Sequence, residues 1–363
     1  MQLFTLTKTL TKKFNVPVSV VLLNHGELEK RLLRTDVKVI VLDETRFNGL
    51  QILRRLISII RELEPDIVHT HRSKENILGS IAASLAGGIP SLRTTHGAPE
   101  HQPDWWHIPK RIIRFLDWLS ERYLQKTVIA VSDDLATILK KYLPSKKITV
   151  IENGIDLDEV RDTHKNLQNH SVRHDLFRVG FAGRLTPVKR VDIFILTAKY
   201  LLDHRPEFNA SFHIFGDGPL RDELEDLSKQ LGTSSIVTFE GHCEDIYGEL
   251  RELDALLITS DHEGLPMVLL EAIALEIPVI AHAVGGITKV LDNGSCSILI
   301  ESQNAPEFGN AIYQLASSPQ MQMDLKSNAL ERVNRYYSAD QNALKYLSAY
   351  SIIQSARSAR KTN

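Results

Sequence analysis

SDHEGLPMVLLEAIALEIPVIAHAVGG, residues 260–286, reads as the end of a strand, a turn, a helix and the next strand. The preceding strand is Ala255 to Thr259 and the following one Pro278 to Ala283. Pro266 has the character of a first helical position, and Glu263 and Glu271 bracket the seven residues that carry the turn into the helix. A strand, a helix and a second strand in so short a span imply a right-handed crossover in a parallel sheet. The first-turn amides around Met267 and Val268 have no intrahelical acceptors and suit an anion such as a diphosphate. Glu271 is placed to accept hydrogen bonds from ribose hydroxyls, and Glu263 would lie nearer a sugar.

Outward from this stretch, short β-branched runs alternate with helical-period runs. After it comes Ser297 to Ile300; before it come Ile236 to Phe239, Ala210 to Phe215 and Phe177 to Ala182. An earlier series contains Val16 to Leu23, Val37 to Leu42, Asp66 to Thr70, Ser91 to Thr95, Thr127 to Val131 and Ile148 to Ile151. Glu27 to Arg34 and Leu50 to Leu63 are helical by period. The polar stretch DTHKNLQNHSVRHD, 162–175, separates the two series. The reading is an α/β chain of two doubly wound, Rossmann-like parallel-sheet domains facing a cleft. Residues 1–160 form the first domain, 161–176 a linker and 177–337 the second domain. Residues 338–363 hold a helix, Ala339 to Ile353, expected to cross back to the first domain, and a frayed basic tail.

Two further motifs accompany the deciding one. In FAGRLTPVKRVD, 181–192, a strand ends at Gly183, where backbone can approach a ligand, and Arg184 and Lys189 follow. Fixed cations there would stabilise the charge that builds on a departing diphosphate; alone, the segment would equally be a solvated basic helix start. In HIFGDGPLRDELE, 213–225, Gly216, Gly218 and Pro219 make a tight strand-to-helix turn that Asp217 can cap.

In the first half, PDIVHTHRSKENI, 65–77, places His69 and His71 on one face of a strand end, and RTTHGAPEH brings His96 to the same sheet edge. At least one histidine of the first pair is expected to be a satisfied structural residue, and no acid or cysteine stands near them as a metal partner. The stretch WWHIPKRIIRFLDWLSERYLQK, 105–126, mixes aromatic and aliphatic residues with Lys110, Arg111, Arg114 and Arg122. It suits either an anionic membrane surface or ordinary core packing.

Bulk properties bound the answer. With 363 residues, 43% hydrophobic and 24% charged, the chain is an ordinary globular protein long enough for two cores. A net charge of -2 gives no general attraction to nucleic acid. Two cysteines, Cys243 and Cys296, lack metal-ligand spacing and point to a reducing compartment. No apolar run approaches a membrane span and the start does not read as a secretory signal. A cytoplasmic protein is expected, peripheral at the inner membrane face if 105–126 docks there.

Taken together, FAGRL with its lysine, FGDGP, EGLPMVLLEA and AVGGI, with VSDDL and VIENGID closing the first half, resemble glycosyltransferase family 4, the retaining enzymes of GT-B fold. The resemblance implies a metal-independent hexosyl- or related transferase without cofactor, working from a UDP-, GDP- or other nucleotide sugar onto a saccharide or lipid-linked acceptor. Such enzymes build cell-surface polysaccharide, lipopolysaccharide or glycolipid. It assigns His96, Arg184, Lys189 and Glu263 to catalysis, and Gly183, Arg184, Lys189, Gly264, Leu265, Pro266, Met267, Val268 and Glu271 to the donor. His71 and Arg72 fall on the acceptor side, and no residue is assigned to a metal. Family members open with a strand and a glycine-rich loop, whereas here Leu3 to Phe14 matches the helix after them. The first domain is therefore expected to lack its opening strand. That departure keeps open an inactive, nucleotide-sugar-binding relative, and another GT-B enzyme such as a sugar-nucleotide epimerase also remains.

Overall fold

The computed structural model describes residues 2–97, 108–162, 176–243 and 245–361. Of the linker expected at 161–176, residues 163–175 lie outside the described residues, as do Trp105 and Trp106 in the segment 98–107, while Arg161 and Asp162 belong to a helix. The chain divides into two units, Met1–Gly154 with Ala339–Asn363, and Ile155–Ser338.

The first unit runs α1 (Gln2–Phe14), β1 (Ser19–Leu22), α2 (Glu27–Leu32), β2 (Lys38–Val41), α3 (Gly49–Leu63) and β3 (Val68–Thr70). It continues through α4 (Ser73–Leu85), β4 (Ser91–Thr95), α5 (Ile108–Leu119), β5 (Gln125–Ala130), α6 (Asp133–Leu139) and β6 (Ile148–Val150). Its strands lie in two parallel sheets: among the described residues β1 pairs only with β2, while β3, β4, β5 and β6 form a four-stranded sheet in that order. Among the described residues β1 and β3 are not hydrogen-bonded to one another. α1 spans the discontinuity, packing Phe4 with Val20 and Val37 and packing Leu6 and Leu10 with Leu92 and Ile129. On a second core, Ile52, Leu56 and Ile60 of α3 meet Ala82 and Ala83 of α4, with Val21 and Val68 against them. α3 starts in a reciprocal Asn48/Gln51 capping box and ends at Glu64 in the left-handed conformation.

The second unit is α7 (Leu157–Asp162), β7 (Phe177–Ala182), α8 (Val191–His204), β8 (Ala210–Phe215), α9 (Arg221–Gln230), β9 (Val237–Gly241), α10 (Ile246–Arg251) and β10 (Ala255–Ile258). Then follow α11 (Met267–Ala274), β11 (Val279–His282), α12 (Gly286–Val290), β12 (Ile298–Ile300), α13 (Ala305–Ala316) and α14 (Pro319–Tyr336). Its six strands form one parallel sheet, β12-β11-β10-β7-β8-β9. Period-two alternation sorts the apolar residues: Leu256 and Ile258 join the core with α11, and Ala255 and Leu257 the core with α8 and α13. A sheet buried on both faces needs such continuous apolar strands.

The last helix, α15 (Ala339–Lys361), packs on α1 within the first unit. Gln2 ties the two, donating to Asn342 Oδ1 at 2.9 Å and accepting from the Gly154 amide at 3.1 Å. α15 runs past Ile353, where the sequence placed its end, because the Ala- and Arg-rich tail is itself a good helix former.

Candidate functional site

In the second unit the strand order turns around at β7 and β10, the position at which parallel α/β sheets bind ligands beyond their carboxyl ends. The segments 183–190 and 259–266 follow those two strands. Their backbones are stitched together: Asp261 N donates to Val188 O at 2.8 Å, and Thr259 Oγ1 to the carbonyls of Lys189 and Arg190 at 3.0 and 2.9 Å. Arg190, held at φ 49, clamps the outside by pairing with Asp192, Asp261 and Gln303.

Within this frame Lys189 Nζ donates to Glu263 Oε1 at 2.5 Å, and Ser260 Oγ donates to the same oxygen at 2.7 Å. Glu263 is buried, and Lys189 is partly accessible. Arg184 is exposed and makes no ion pair with a described residue. Glu271, also buried, accepts from the Tyr247 hydroxyl at 3.4 Å. Pro266 is the N-cap of α11, so the helix begins at Met267, one residue later than the sequence suggested, and no side chain caps the amides at Met267 and Val268. Leu265 is core, and the Gly264 carbonyl accepts from Gly286 N at 2.9 Å. Asp217 accepts from the Gly218 amide at 2.7 Å and does not cap α9, whose N-cap is Leu220. That turn instead demands glycine by contact: a Cβ on Gly216, at φ +128, would overlap the Gly183 carbonyl oxygen, as one on Gly286 would overlap that of Gly264. The loops after β7, β8, β10 and β11 are thus packed backbone to backbone. Gly183, Lys189, Glu263 and Gly264 are all held by this packing.

In the first unit, His69 Nδ1 shares a hydrogen with the Tyr350 hydroxyl at 2.9 Å, and Nε2 with Thr94 Oγ1 at 2.8 Å. It is the satisfied structural histidine. Its ring stacks on His71 at 4.4 Å between centroids, and His71 Nδ1 meets His96 Nε2 at 3.0 Å. His71 Nε2 is buried without a partner among the described residues. Arg72 is exposed at the N-cap of α4. Burial lowers His69 from 6.5 to about 3, and burial followed by the neighbouring His69, His96 and Arg93 holds His71 well below its ordinary value. The unfolded chain would take up these protons near pH 6.5. Stability from His69 is therefore complete above about pH 6.5 and lost as pH falls toward about 3. Thermal unfolding between about pH 7 and about pH 5 should drop more steeply for the native chain than for His69→Gln. Equal slopes would show that the ring contributes nothing to acid sensitivity.

Sequence reasoning missed Ser260, Thr259, the Arg190 clamp, Tyr247, and Tyr346 and Tyr350 of α15. Among the described residues no group of three or more His, Cys, Asp or Glu is arranged to hold a metal ion, and no helix is long and apolar enough to cross a membrane.

Known proteins share the fold and the sequence motifs. The family model for glycosyltransferase family 4 matches residues 2–159, and that for glycosyl transferases group 1 matches 162–332. The chain is 27% identical, over 78% of its length and 76% of the relative's, to the Escherichia coli UDP-Gal:alpha-D-GlcNAc-diphosphoundecaprenol alpha-1,3-galactosyltransferase. It is 26% identical to D-inositol 3-phosphate glycosyltransferase of Actinosynnema mirum, over 78% of this chain and 72% of the other. Its fold matches that of Anabaena Alr3699/HepE, crystallised with UDP-glucose, at a TM-score of 0.78 and 21% identity, over 96% and 95% of the two chains. Motifs, sheet order and both matched halves agree, and the chain belongs to the group 1, family 4 glycosyltransferases of GT-B fold.

Proposed function

We propose that this protein transfers a sugar from a nucleoside diphosphate sugar to a saccharide or lipid-linked acceptor, with retention of configuration and without a metal, in the building of a surface polysaccharide, lipopolysaccharide or glycolipid. The observation that carries this is the buried Glu263 held by Ser260 and Lys189 beyond β10, together with the exposed Arg184 on the loop that follows β7. Departure of a nucleoside diphosphate builds charge on its phosphates, and a guanidinium and an ammonium already in place stabilise that charge without reorganisation. Lys189, anchored on Glu263, is kept pointing where its carboxylate partner is, so its second and third N–H groups remain for phosphate oxygens. Glu271 accepts from the ribose, and the uncapped amides of α11 face the diphosphate. Retention follows a front-face course in which the acceptor hydroxyl passes its proton to the leaving phosphate. His96, with His71 and Arg72, is assigned to the first unit's part in the reaction; His71 Nε2 is buried without a partner among the described residues. The E. coli relative, named for UDP-galactose and a diphosphoundecaprenol-linked acceptor, supports the choice of substrate classes.

A second reading, a protein that binds nucleotide sugar and does not transfer it, is favoured by the separation of β1–β2 from the four-stranded sheet. Incubation of the protein with labelled UDP- and GDP-sugars, with and without acceptor extract, distinguishes the two. Label appearing in acceptor only when extract is present supports transfer; donor bound but unchanged under every condition supports the second reading. Converted donor without acceptor would instead indicate an epimerase.

Calorimetry with UDP and GDP should give the same affinity with and without EDTA. Binding abolished by EDTA and restored by magnesium or manganese would overturn metal independence. In the same titration Glu271→Ala should weaken the nucleotide by about 1.5–3 kcal/mol, the worth of hydrogen bonds to a charged acceptor. Unchanged affinity would remove Glu271 from the ribose.

A further inference from the structure

Lys189 closes the short turn Pro187–Lys189, and Arg190 after it is held in the left-handed conformation at φ 49 and ψ 48. Side chains other than asparagine and aspartate seldom adopt that conformation, and they keep it where the surroundings over-determine it. Asn15 and Glu64 adopt it just past the ends of α1 and α3, where it closes a helix. Arg190 instead precedes α8, next in the chain to the lysine that meets Glu263.

Two sets of contacts hold Arg190 there. Its guanidinium takes both oxygens of Asp192, from Nε at 3.0 Å and from Nη2 at 2.9 Å, and its Nη1 reaches Asp261 at 3.2 Å and Gln303 at 2.9 Å. Behind the turn stands Thr259, fully buried, whose hydroxyl donates to the carbonyls of both Lys189 and Arg190. Successive carbonyls run nearly parallel across a residue with helical φ and ψ of either hand, which lets one hydroxyl reach both. The left-handed residue, its clamp and the buried hydroxyl therefore form one device, and its output is the direction in which Lys189 leaves the backbone.

We propose that Arg190 and Thr259 are positioning residues for Lys189, which they aim at Glu263 and at the phosphates of the donor. This assignment depends on Lys189 being a cation of the donor site. A lysine carries its charge on a flexible four-carbon stem, so a single hydrogen bond to Glu263 can fix the ammonium only if the backbone beneath it is already fixed. Released from the turn, Lys189 would still attract bound phosphates but would no longer stand in place as charge develops on them. The loss then falls on kcat rather than on KM.

The experiment compares Thr259→Val, which keeps the branched shape and removes the hydroxyl, with Thr259→Ser, which keeps the hydroxyl. Arg190→Gly accepts the left-handed backbone and removes the clamp. Acetylation of Lys189 by an N-hydroxysuccinimide ester, followed by mass spectrometry with the exposed Lys229 as internal standard, reads the tether without any sugar present. Thr259→Val and Arg190→Gly should acetylate Lys189 about fivefold faster, as one lost hydrogen bond shifts a local opening. Thr259→Ser should react at the native rate. In steady-state transfer the same two variants should lose about tenfold in kcat, with KM for the donor within about twofold of native. Thermal unfolding like that of the native chain shows that the variants are folded; should Thr259→Val fail this, Arg190→Gly carries the test. Folded variants acetylated at the native rate, a Thr259→Ser as impaired as Thr259→Val, or faster acetylation with native kcat would each overturn the proposal. A native chain that transfers no sugar would instead overturn the transfer reading, and the acetylation rates would still decide whether the two residues hold Lys189.

Discussion

Arg184→Ala is expected to lower kcat by about 10²–10³-fold, the range observed when one preorganised group facing developing charge is removed, while KM for the donor changes little. The asymmetry follows from where the residue sits. Arg184 is exposed, with no ion pair to a described residue, so its charge is uncommitted before the leaving group departs. Lys189 is different, already bonded to Glu263 at 2.5 Å. Lys189→Ala strips a buried carboxylate of its cation, and its effect mixes lost catalysis with disorder at Glu263. Arg184→Lys separates charge from geometry: a point charge restores part of kcat, but a single ammonium cannot make the paired contact of a guanidinium. Steady-state kinetics with saturating acceptor measure this. A kcat within about threefold of the native value, against the loss expected of a group facing transition-state charge, would remove Arg184 from the departing diphosphate.

The residues that made this site legible in the sequence are those whose chemistry is carried locally. Glu263, Gly264 and Pro266 stand together in one turn, and Arg184 and Lys189 flank another. What connects the turns was not legible, because its parts are far apart in the chain: Arg190 and Gln303 are separated by 113 positions, His69 and Tyr350 by 281. No local period records that such residues will meet. Strands showed the same division. Ser91–Thr95 was read with its observed ends, since its residues are buried and pair throughout. The run Val16 to Leu23 is three residues too long at its start, because Val16 and Val18 are apolar for another reason, packing on the core with Leu6 and Leu10 without joining the ladder. For α5 the period was correct and insufficient: an amphipathic stripe looks the same in sequence whether core or solvent lies against it. Only exposure distinguishes the two, and from Arg111 to Leu116 every side chain is exposed.

Arg93→Leu is expected to cost about 3–5 kcal/mol of stability, as does the loss of one partner from a buried charge cluster. Arg93 projects from β4 with its side chain 7% exposed, and its Nη1 holds Asp117 and Glu121 together. Asp117 also accepts from Asn76 Nδ2 at 2.7 Å, and Asn76 accepts from Gln125 Nε2, so α4, α5 and β5 converge on one guanidinium. Without it two carboxylates share a dry site. Glu121 shows how near the balance already is: burial raises its carboxyl to about 7, even with Arg93 beside it pulling the other way. In the variant that opposing pull is gone, and the carboxyl rises further. The unfolded chain releases this proton near 4.5, so rising pH favours unfolding from there until the folded group itself ionises. The loss on replacing Arg93 should therefore be larger at about pH 8 than at about pH 6. Replacing Glu121 by Gln as well should recover part of it at the higher pH by removing the charge that has no partner. Urea unfolding of the three chains at both pH values measures each term. A loss below about 1 kcal/mol, within the range of an exposed ion pair, would show that water reaches this cluster and that α5 is held to the sheet by its apolar contacts alone.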